Sequence, residues 1–347
     1  MKRARKRSVR RPTIIDVAKE ANVGVMTVSR VLNNYDTVRP AKRAKVMRAI
    51  SKIGYAPNDA ARMLKGRSAR TIGLVVPDLS SFFADCFHAV QEVAFKHDFQ
   101  TVVIATGKNA AIENEQLDNL RDHRVGGVLI VPSGQNEERL KIVQESGIPI
   151  VALDRPAPGI QADSVLTENR EGAEMGVRHL IEHGYKSIAC VGFDSGSYTV
   201  RERFKGYAQA IRDAGLEPIF NTNIDSMNAM QNLVESWKGG RSWPRAVFTV
   251  KHIASVFLVQ TLHRQKLRVP QDVALVGFDD FELAEVLGAP MTVVRQFPAK
   301  LARTAAELLF TKILSPPQAR HAEPQAAKML FPAELVVRKS CGCTGQD

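Results

Sequence analysis

The first 70 residues hold 19 lysines and arginines against four acidic residues, and a concentration of that kind can do one sort of chemistry well, the binding of phosphates. The local excess is 15 positive charges against 12 for the whole chain, so residues 71–347 carry a slight negative excess of about three. A basic field confined to one segment draws in a polyanion and gains free energy from the counterions it releases. Residues able to do covalent chemistry do not assemble elsewhere. The chain has no P-loop, no GxGxxG after its first strand pattern and no HExxH. Its carboxylates show no pairing for acid–base work, and no Ser–His–Asp set can be placed. Cys86, Cys190, Cys341 and Cys343 read as reduced thiols, and Cys341-Gly-Cys343 looks too tight and too solitary for a four-ligand zinc site. The expectation is therefore a protein that is not an enzyme, with no cofactor and no metal.

The element that must present the basic segment to a partner lies between Thr13 and Asn33. Thr13 is a side-chain acceptor immediately before an apolar-periodic run, as an N-cap should be. Ile14, Val17, Ala18 and Ala21 follow at three- and four-residue spacing and make one apolar face. Asn22 tolerates the left-handed conformation needed to leave a helix. A second pattern begins at Val25, with Val28, Val31 and Leu32 apolar. Two short helices this close predict a helix-turn-helix. A third helix is predicted from Pro40 to Ile53, with Ala44, Met47 and Ile50 as its apolar side and Val46 and Ile53 flanking.

These segments, and others along the chain, resemble the LacI/GalR-type transcriptional regulators. The motifs are DVA at Asp16–Ala18, TVSRVLN at Thr27–Asn33, GYAPN at Gly54–Asn58, Ala61–Leu64 and TIGLVVPD at Thr71–Asp78. They continue with RERFKG at Arg201–Gly206, RVPQDVALVGFDD at Arg268–Asp280 and ELVVR at Glu334–Arg338. The resemblance implies that Val25–Leu32 is the recognition helix of the major groove. Val25 and Met26 then occupy base-reading positions, where they offer only apolar contact. Arg30 matches a base-contacting arginine, whose planar fork can donate to O6 and N7 of guanine. Thr27, Ser29 and Asn33 suit phosphates, which set register without reading sequence, and Thr13 joins them as a DNA-binding candidate. Gly24 departs from the Ser or Thr common before this helix. Asn58–Lys65 resembles the family's hinge helix, too short to be stable alone, with Ala61 on it and Leu64 as a minor-groove wedge.

From Thr71 the pattern changes to β-branched runs at Ile72–Val76, Thr101–Ala105, Val128–Val131, Ile150–Leu153, Ser187–Val191, Ala246–Val250 and Val273–Val276. Amphipathic stretches of helix length separate most of them, which argues βαβ units and parallel sheets. The resemblance implies an α/β periplasmic-binding-protein-like effector domain of two lobes, with crossovers near Asp163, Val293 and Pro316–Ala327. Ligands of such sheets bind outside the carboxyl ends of the strands. Candidates there are Phe82 or Phe83, one of which should be core, then Arg155, Arg203, Asp279 and Gln296. Arg203 and Asp279 match family residues that contact effector. Lys251 and His252 stand where the family often has an acidic pair. With Arg155 and Arg203 they suggest an anionic effector, a sugar acid or sugar phosphate.

The resulting organisation is a basic tail at 1–12, a helix-turn-helix DNA-binding domain at 13–57, and a hinge helix and linker at 58–70. An effector-binding and dimerisation domain at 71–338 and a tail at 339–347 complete it. The expected function is a repressor that binds a palindromic DNA operator as a homodimer, tetramer not excluded, under control of a small sugar-like effector. The basic N-terminus is followed by no apolar segment of the kind a secretion signal needs, and no stretch is long enough to span a bilayer. The expected location is the bacterial cytoplasm, on the nucleoid when bound to DNA. A secreted sugar-binding protein would account only for the larger domain, and a sugar-modifying enzyme lacks its chemistry.

Overall fold

The computed structural model describes residues 12–32, 38–55, 69–193, 196–239, 243–315 and 326–343. The chain divides into two compact units, Met1–Ala69 and Arg70–Asp347. The first contains α1 (Ile14–Ala21), α2 (Val25–Leu32) and α3 (Pro40–Ile53). Thr13 caps α1 through a reciprocal box: its hydroxyl accepts from the Asp16 amide at 3.4 Å, while the Asp16 carboxylate accepts from the Thr13 amide at 2.7 Å. Asn22 leaves the helix at φ 51°, as its side-chain type allows. Val17, Ala18, Ala21, Val28 and Val31 interlock with Val46 and Ala49 of α3 as one small core.

The buried side of α3 differs from the expected one. Val46 and Ala49 are buried and Ile50 and Ile53 pack against the core, whereas Ala44 and Met47 are not part of it, Met47 standing exposed. A strict three-residue repeat walks around a helix of 3.6 residues per turn, and the 3-4 spacing of 46, 49, 50 and 53 holds one face.

The second unit is two parallel-sheet lobes. The N-terminal lobe comprises β1 (Ala69–Val76), α4 (Ser81–Lys96), β2 (Gln100–Ala105), α5 (Ala110–Asp122), β3 (Val125–Ile130), α6 (Glu137–Glu145), β4 (Ile150–Leu153) and β5 (Asp163–Thr167). The other lobe follows as α7 (Asn169–Glu182), β6 (Ile188–Val191), α8 (Tyr198–Asp213), β7 (Ile219–Asn221), α9 (Met227–Gly239), β8 (Ala246–Thr249), α10 (His252–Arg264), β9 (Ala274–Phe278) and β10 (Thr292–Arg295). The chain then returns to the first lobe through α11 (Pro298–Leu314) and β11 (Lys328–Phe331), and crosses again to β12 (Glu334–Val336).

The strand orders are β11-β5-β4-β3-β1-β2 and β12-β10-β9-β8-β6-β7. β12 runs antiparallel to β10. Strands such as β3 and β9 are buried throughout, because helices cover both faces of a parallel sheet. α11 belongs to the first lobe: Leu301, Ala302, Ala305, Leu309 and Phe310 pack into the core of Ile72, Leu74, Val90 and Leu129.

The crossings therefore lie at Thr167–Asn169, Arg295–Pro298 and Phe331–Glu334. The first two fall a few residues beyond Asp163 and Val293. The third lies past 316–327, because β11 pairs with β5 in the first lobe before the chain crosses. The end of the chain also departs from expectation. Residues 339–343 are not a tail: Ser340 and Cys341 are buried, the Ser340 carbonyl accepts from the Leu275 amide, and its hydroxyl donates to the Leu275 carbonyl and accepts from the Thr292 amide.

Candidate functional site: a nucleic-acid face and an interlobe cleft

On the helix-turn-helix unit, burial of Val28 and Val31 against α1 and α3 turns the opposite side of α2 outward. Val25 and Met26 are 43% and 68% exposed, and Arg30 is exposed. Thr27 and Ser29 are half-buried. Thr13 is committed to its capping box, its hydroxyl donating to Asp16 Oδ2 at 2.7 Å. Asn33, Ala61 and Leu64, with the hinge segment Asn58–Lys65, lie outside the described residues.

In the larger unit the candidate side chains gather where the strands end. Arg203 comes from the second turn of α8, and Gly206 sets its position. A Cβ at Gly206 would lie 2.1 Å from the Arg170 carbonyl, so only glycine lets α8 cross α7 this closely. The close crossing brings Arg203 to the first residue of α7, where its Nε donates to Asn169 Oδ1 at 2.8 Å. Its Nη1 donates to the Val250 carbonyl at 2.8 Å and to Asp279 Oδ2 at 3.2 Å. The guanidinium carbon stands 3.7 Å over the Phe278 ring, a cation–π placement. Arg203 is buried, so the pair it makes with Asp279 is shielded from water.

Asp279 follows β9 in a left-handed conformation, φ 75°. No regular helix follows it, so it is not an N-cap. Its second oxygen accepts from Gln296 Nε2 at 2.6 Å, and Gln296 Oε1 accepts from Thr167 Oγ1 at 2.6 Å. Thr167 and Gln296 lie at two of the crossings, so this chain of bonds ties the crossings to the strand end at Asp279.

Arg155 follows β4 and pairs with Asp154 at 3.4 Å. Asp154 is buried at φ 65°, and burial raises its carboxyl pKa against the pull of Arg155 and Arg203. From the other lobe, Lys251 follows β8 with its Nζ 4.9 Å from the centre of the Phe193 ring. Lys108 approaches the same ring at 5.8 Å and pairs with Asp78 at 3.7 Å. Lys251 makes no ion pair among the described residues. Burial first, then repulsion from Arg203, Lys108 and Arg155, lowers its pKa to about 8.

His252 opens α10, half-buried, beside Lys251. Phe83 is taken up by the first lobe's core, with Phe82 half-buried against it edge-on at 5.0 Å. Phe82, though partly exposed, also packs against that core. Asp154, Asn169, Lys108 and Phe193 were not singled out by sequence. Asp154 alone carried a local signal, as the neighbour of Arg155; the others arrive from separate loops and show none.

A three-helix basic head joined to a two-lobed α/β domain with polar groups at its strand ends is the arrangement of a DNA-binding regulator. The family "Bacterial regulatory proteins, lacI family" matches residues 13–58. "Periplasmic binding proteins and sugar binding domain of LacI family" matches residues 69–339. A relative named HTH-type transcriptional repressor PurR, from Photobacterium profundum, is 30% identical over 333 residues, covering 94% of this chain and 98% of its own. Among solved structures, the Lac repressor dimer bound to operator and the anti-inducer ONPF superposes with a TM-score of 0.82 at 24% identity, over 96% of this chain and 99% of that one. The transcriptional regulator CelR in complex with cellobiose matches at a TM-score of 0.68 and 31% identity, over 95% and 100%. The chain belongs to the LacI family and is a DNA-binding transcriptional regulator. No helix among the described residues is long and apolar enough to cross a membrane.

Proposed function

We propose that this regulator represses transcription by binding a palindromic operator as a homodimer, and that an anionic, sugar-like molecule between the lobes sets its DNA affinity. The carrying observation is Lys251. Arg203, Arg155 and Lys108 each make an ion pair with a carboxylate, whereas half-buried Lys251 makes none among the described residues, feeling Asp279 and Asp154 only at longer range against the repulsion of three cations. A carboxylate or phosphate on the ligand supplies that counter-charge. Asp279, Arg203, Gln296 and Arg155 then orient hydroxyls and charge, Phe82 offers an apolar face, and His252 stands beside Lys251.

Control follows from linkage. A ligand alters DNA affinity only by favouring one arrangement of the lobes over another, and the Thr167–Gln296–Asp279 bonds couple cleft to crossing. On the DNA side, Arg30, Val25 and Met26 read the major groove, Thr27, Ser29 and Asn33 face phosphates, Thr13 caps the first helix at the DNA-facing end, and Ala61 and Leu64 belong to a hinge element at the minor groove. Such a protein works in the cytoplasm, on the nucleoid.

A thermal-shift panel tests the ligand class, since a molecule that binds only the folded state raises the midpoint. Sugar acids and sugar phosphates are expected to raise it. A neutral disaccharide is the second reading, favoured by the cellobiose in the CelR complex. If neutral sugars alone raise the midpoint, the anionic assignment fails.

A further inference from the structure

The segment after β12 brings two cysteines to the end of a helix that carries two histidines. His179 lies in the last turn of α7, and His183 follows one turn later as the residue that ends the helix. The 179/183 spacing puts both rings on one face, with centroids 4.4 Å apart. Cys343 Sγ stands 2.8 Å from His183 Nε2 and 3.6 Å from His179 Nε2. Cys341 Sγ is 3.2 Å from Cys343 Sγ. Four soft or borderline donors therefore converge from two segments about 160 residues apart in the chain.

From this convergence we infer that His179, His183 and Cys343 form a zinc site, with Cys341 as the nearest donor for the fourth position. Nitrogen and sulfur donors of this kind are those of tetrahedral structural zinc.

The surroundings prepare the donors for that role. His183 Nδ1 lies 2.8 Å from the His179 carbonyl, which can only accept. Nδ1 therefore carries the proton and Nε2 presents its lone pair toward Cys343, the outer-shell arrangement usual for metal-binding histidines. The cysteine segment is anchored as well. Ser340 is tied to Leu275 and Thr292 through hydrogen bonds of 2.7–2.8 Å. Gly342, between the two cysteines, turns at φ 92°, and a Cβ there would meet Tyr185 Oη at 2.9 Å. With Zn–S of about 2.3 Å and Zn–N of about 2.0 Å, donors around a tetrahedral ion sit about 3.3–3.8 Å apart. The three separations that involve Cys343, 2.8–3.6 Å, open to those values with changes below about 1 Å, and the donor atoms of His179, His183 and Cys343 all lie within 4.8 Å of one another. Zinc here would clamp the end of the chain onto α7, the helix that begins at Asn169 beside Arg203.

The test uses untagged full-length protein kept reduced with a phosphine, equilibrated with zinc chloride, gel-filtered and assayed for metal by mass spectrometry. One zinc per chain is expected in the wild type, with a large loss in Cys343→Ser and in His183→Gln. Both positions are at least partly exposed, so both variants should keep wild-type circular dichroism. Cobalt(II) added to the reduced wild type should give tetrahedral visible bands and a thiolate charge-transfer band in the near ultraviolet, and this reading needs no variant. A wild type that holds no more zinc than Cys343→Ser, or a cobalt spectrum without the thiolate band, overturns the site. Quantitative Cys341–Cys343 disulfide formation with no zinc uptake after reduction would likewise overturn it, in favour of a thiol pair.

Discussion

Thr167 and Gln296 are 129 positions apart in sequence, yet the hydroxyl of one donates to the amide oxygen of the other at 2.6 Å, where the chain leaves the first lobe and where it returns. Gln296 spends its amide nitrogen on Asp279. The hinge is thus wired to the cleft through one side chain.

Replacing Gln296 by leucine keeps the bulk and removes both bonds. The Asp279 oxygen and the Thr167 hydroxyl lose partners in a largely buried setting, which costs about 1–3 kcal/mol. We expect a lower denaturation midpoint and weaker coupling of ligand to DNA affinity, measured as the ratio of operator Kd values with and without ligand. An unchanged ratio would remove the hinge from the control path.

Arg203→Ala is a harsher change than sequence alone suggests. Removing one partner of a buried ion pair leaves the Asp279 charge uncompensated and costs about 3–5 kcal/mol. Denaturant unfolding should show the loss in the larger unit, together with loss of effector response. The double replacement Arg203→Met with Asp279→Leu should recover much of the stability but none of the response. Retained response in the double variant would exclude both residues from ligand binding.

Lys251 makes the cleft pH-sensitive. Its folded pKa of about 8 lies below that of a free lysine, so between these values the unfolded chain holds the extra proton and stability rises with pH. Below pH 8 the half-buried charge costs stability, and Lys251→Met should raise the midpoint at pH 7 relative to wild type. Binding of an anion should weaken as pH climbs through 8 in the wild type and lose that dependence in Lys251→Met. Calorimetric titration across pH 6.5–9.5 is the measurement.

Gly206→Ala tests how Arg203 is aimed. The added methyl would strike the Arg170 carbonyl, so α8 must lift from α7. Overpacking of this kind costs about 1–3 kcal/mol, and ligand affinity should fall with stability although Gly206 touches no ligand.

Arg30→Ala should cost about 1–3 kcal/mol at one base pair of the operator. Wild-type affinity should also fall steeply with salt, as phosphate neutralisation requires. A gel-shift series over operator variants separates the two: an unchanged base preference would argue that Arg30 contacts only the backbone.

Local interactions made the head and the fold class legible from sequence. Thr13, Asn22 and the spacing of Val17, Ala18, Ala21, Val28 and Val31 act within a turn or two of helix, so their pattern survives in one dimension. The alternation of β-branched runs with helical stretches is equally local, and it announces parallel sheets. Charge segregation needs no structure at all. Where local rules gave two answers, as for α3, packing against α1 chose the face. The cleft and the histidine–cysteine cluster were different in kind. Lys251 without an ion pair among the described residues, Gln296 between Thr167 and Asp279, and Cys343 against His183 each depend on groups from distant strands meeting across a crossing or a sheet edge. No periodicity encodes such meetings. They arise when the buried faces of two sheets close, and Cys341-Gly-Cys343 looked solitary only because its partners lie about 160 residues away along the chain.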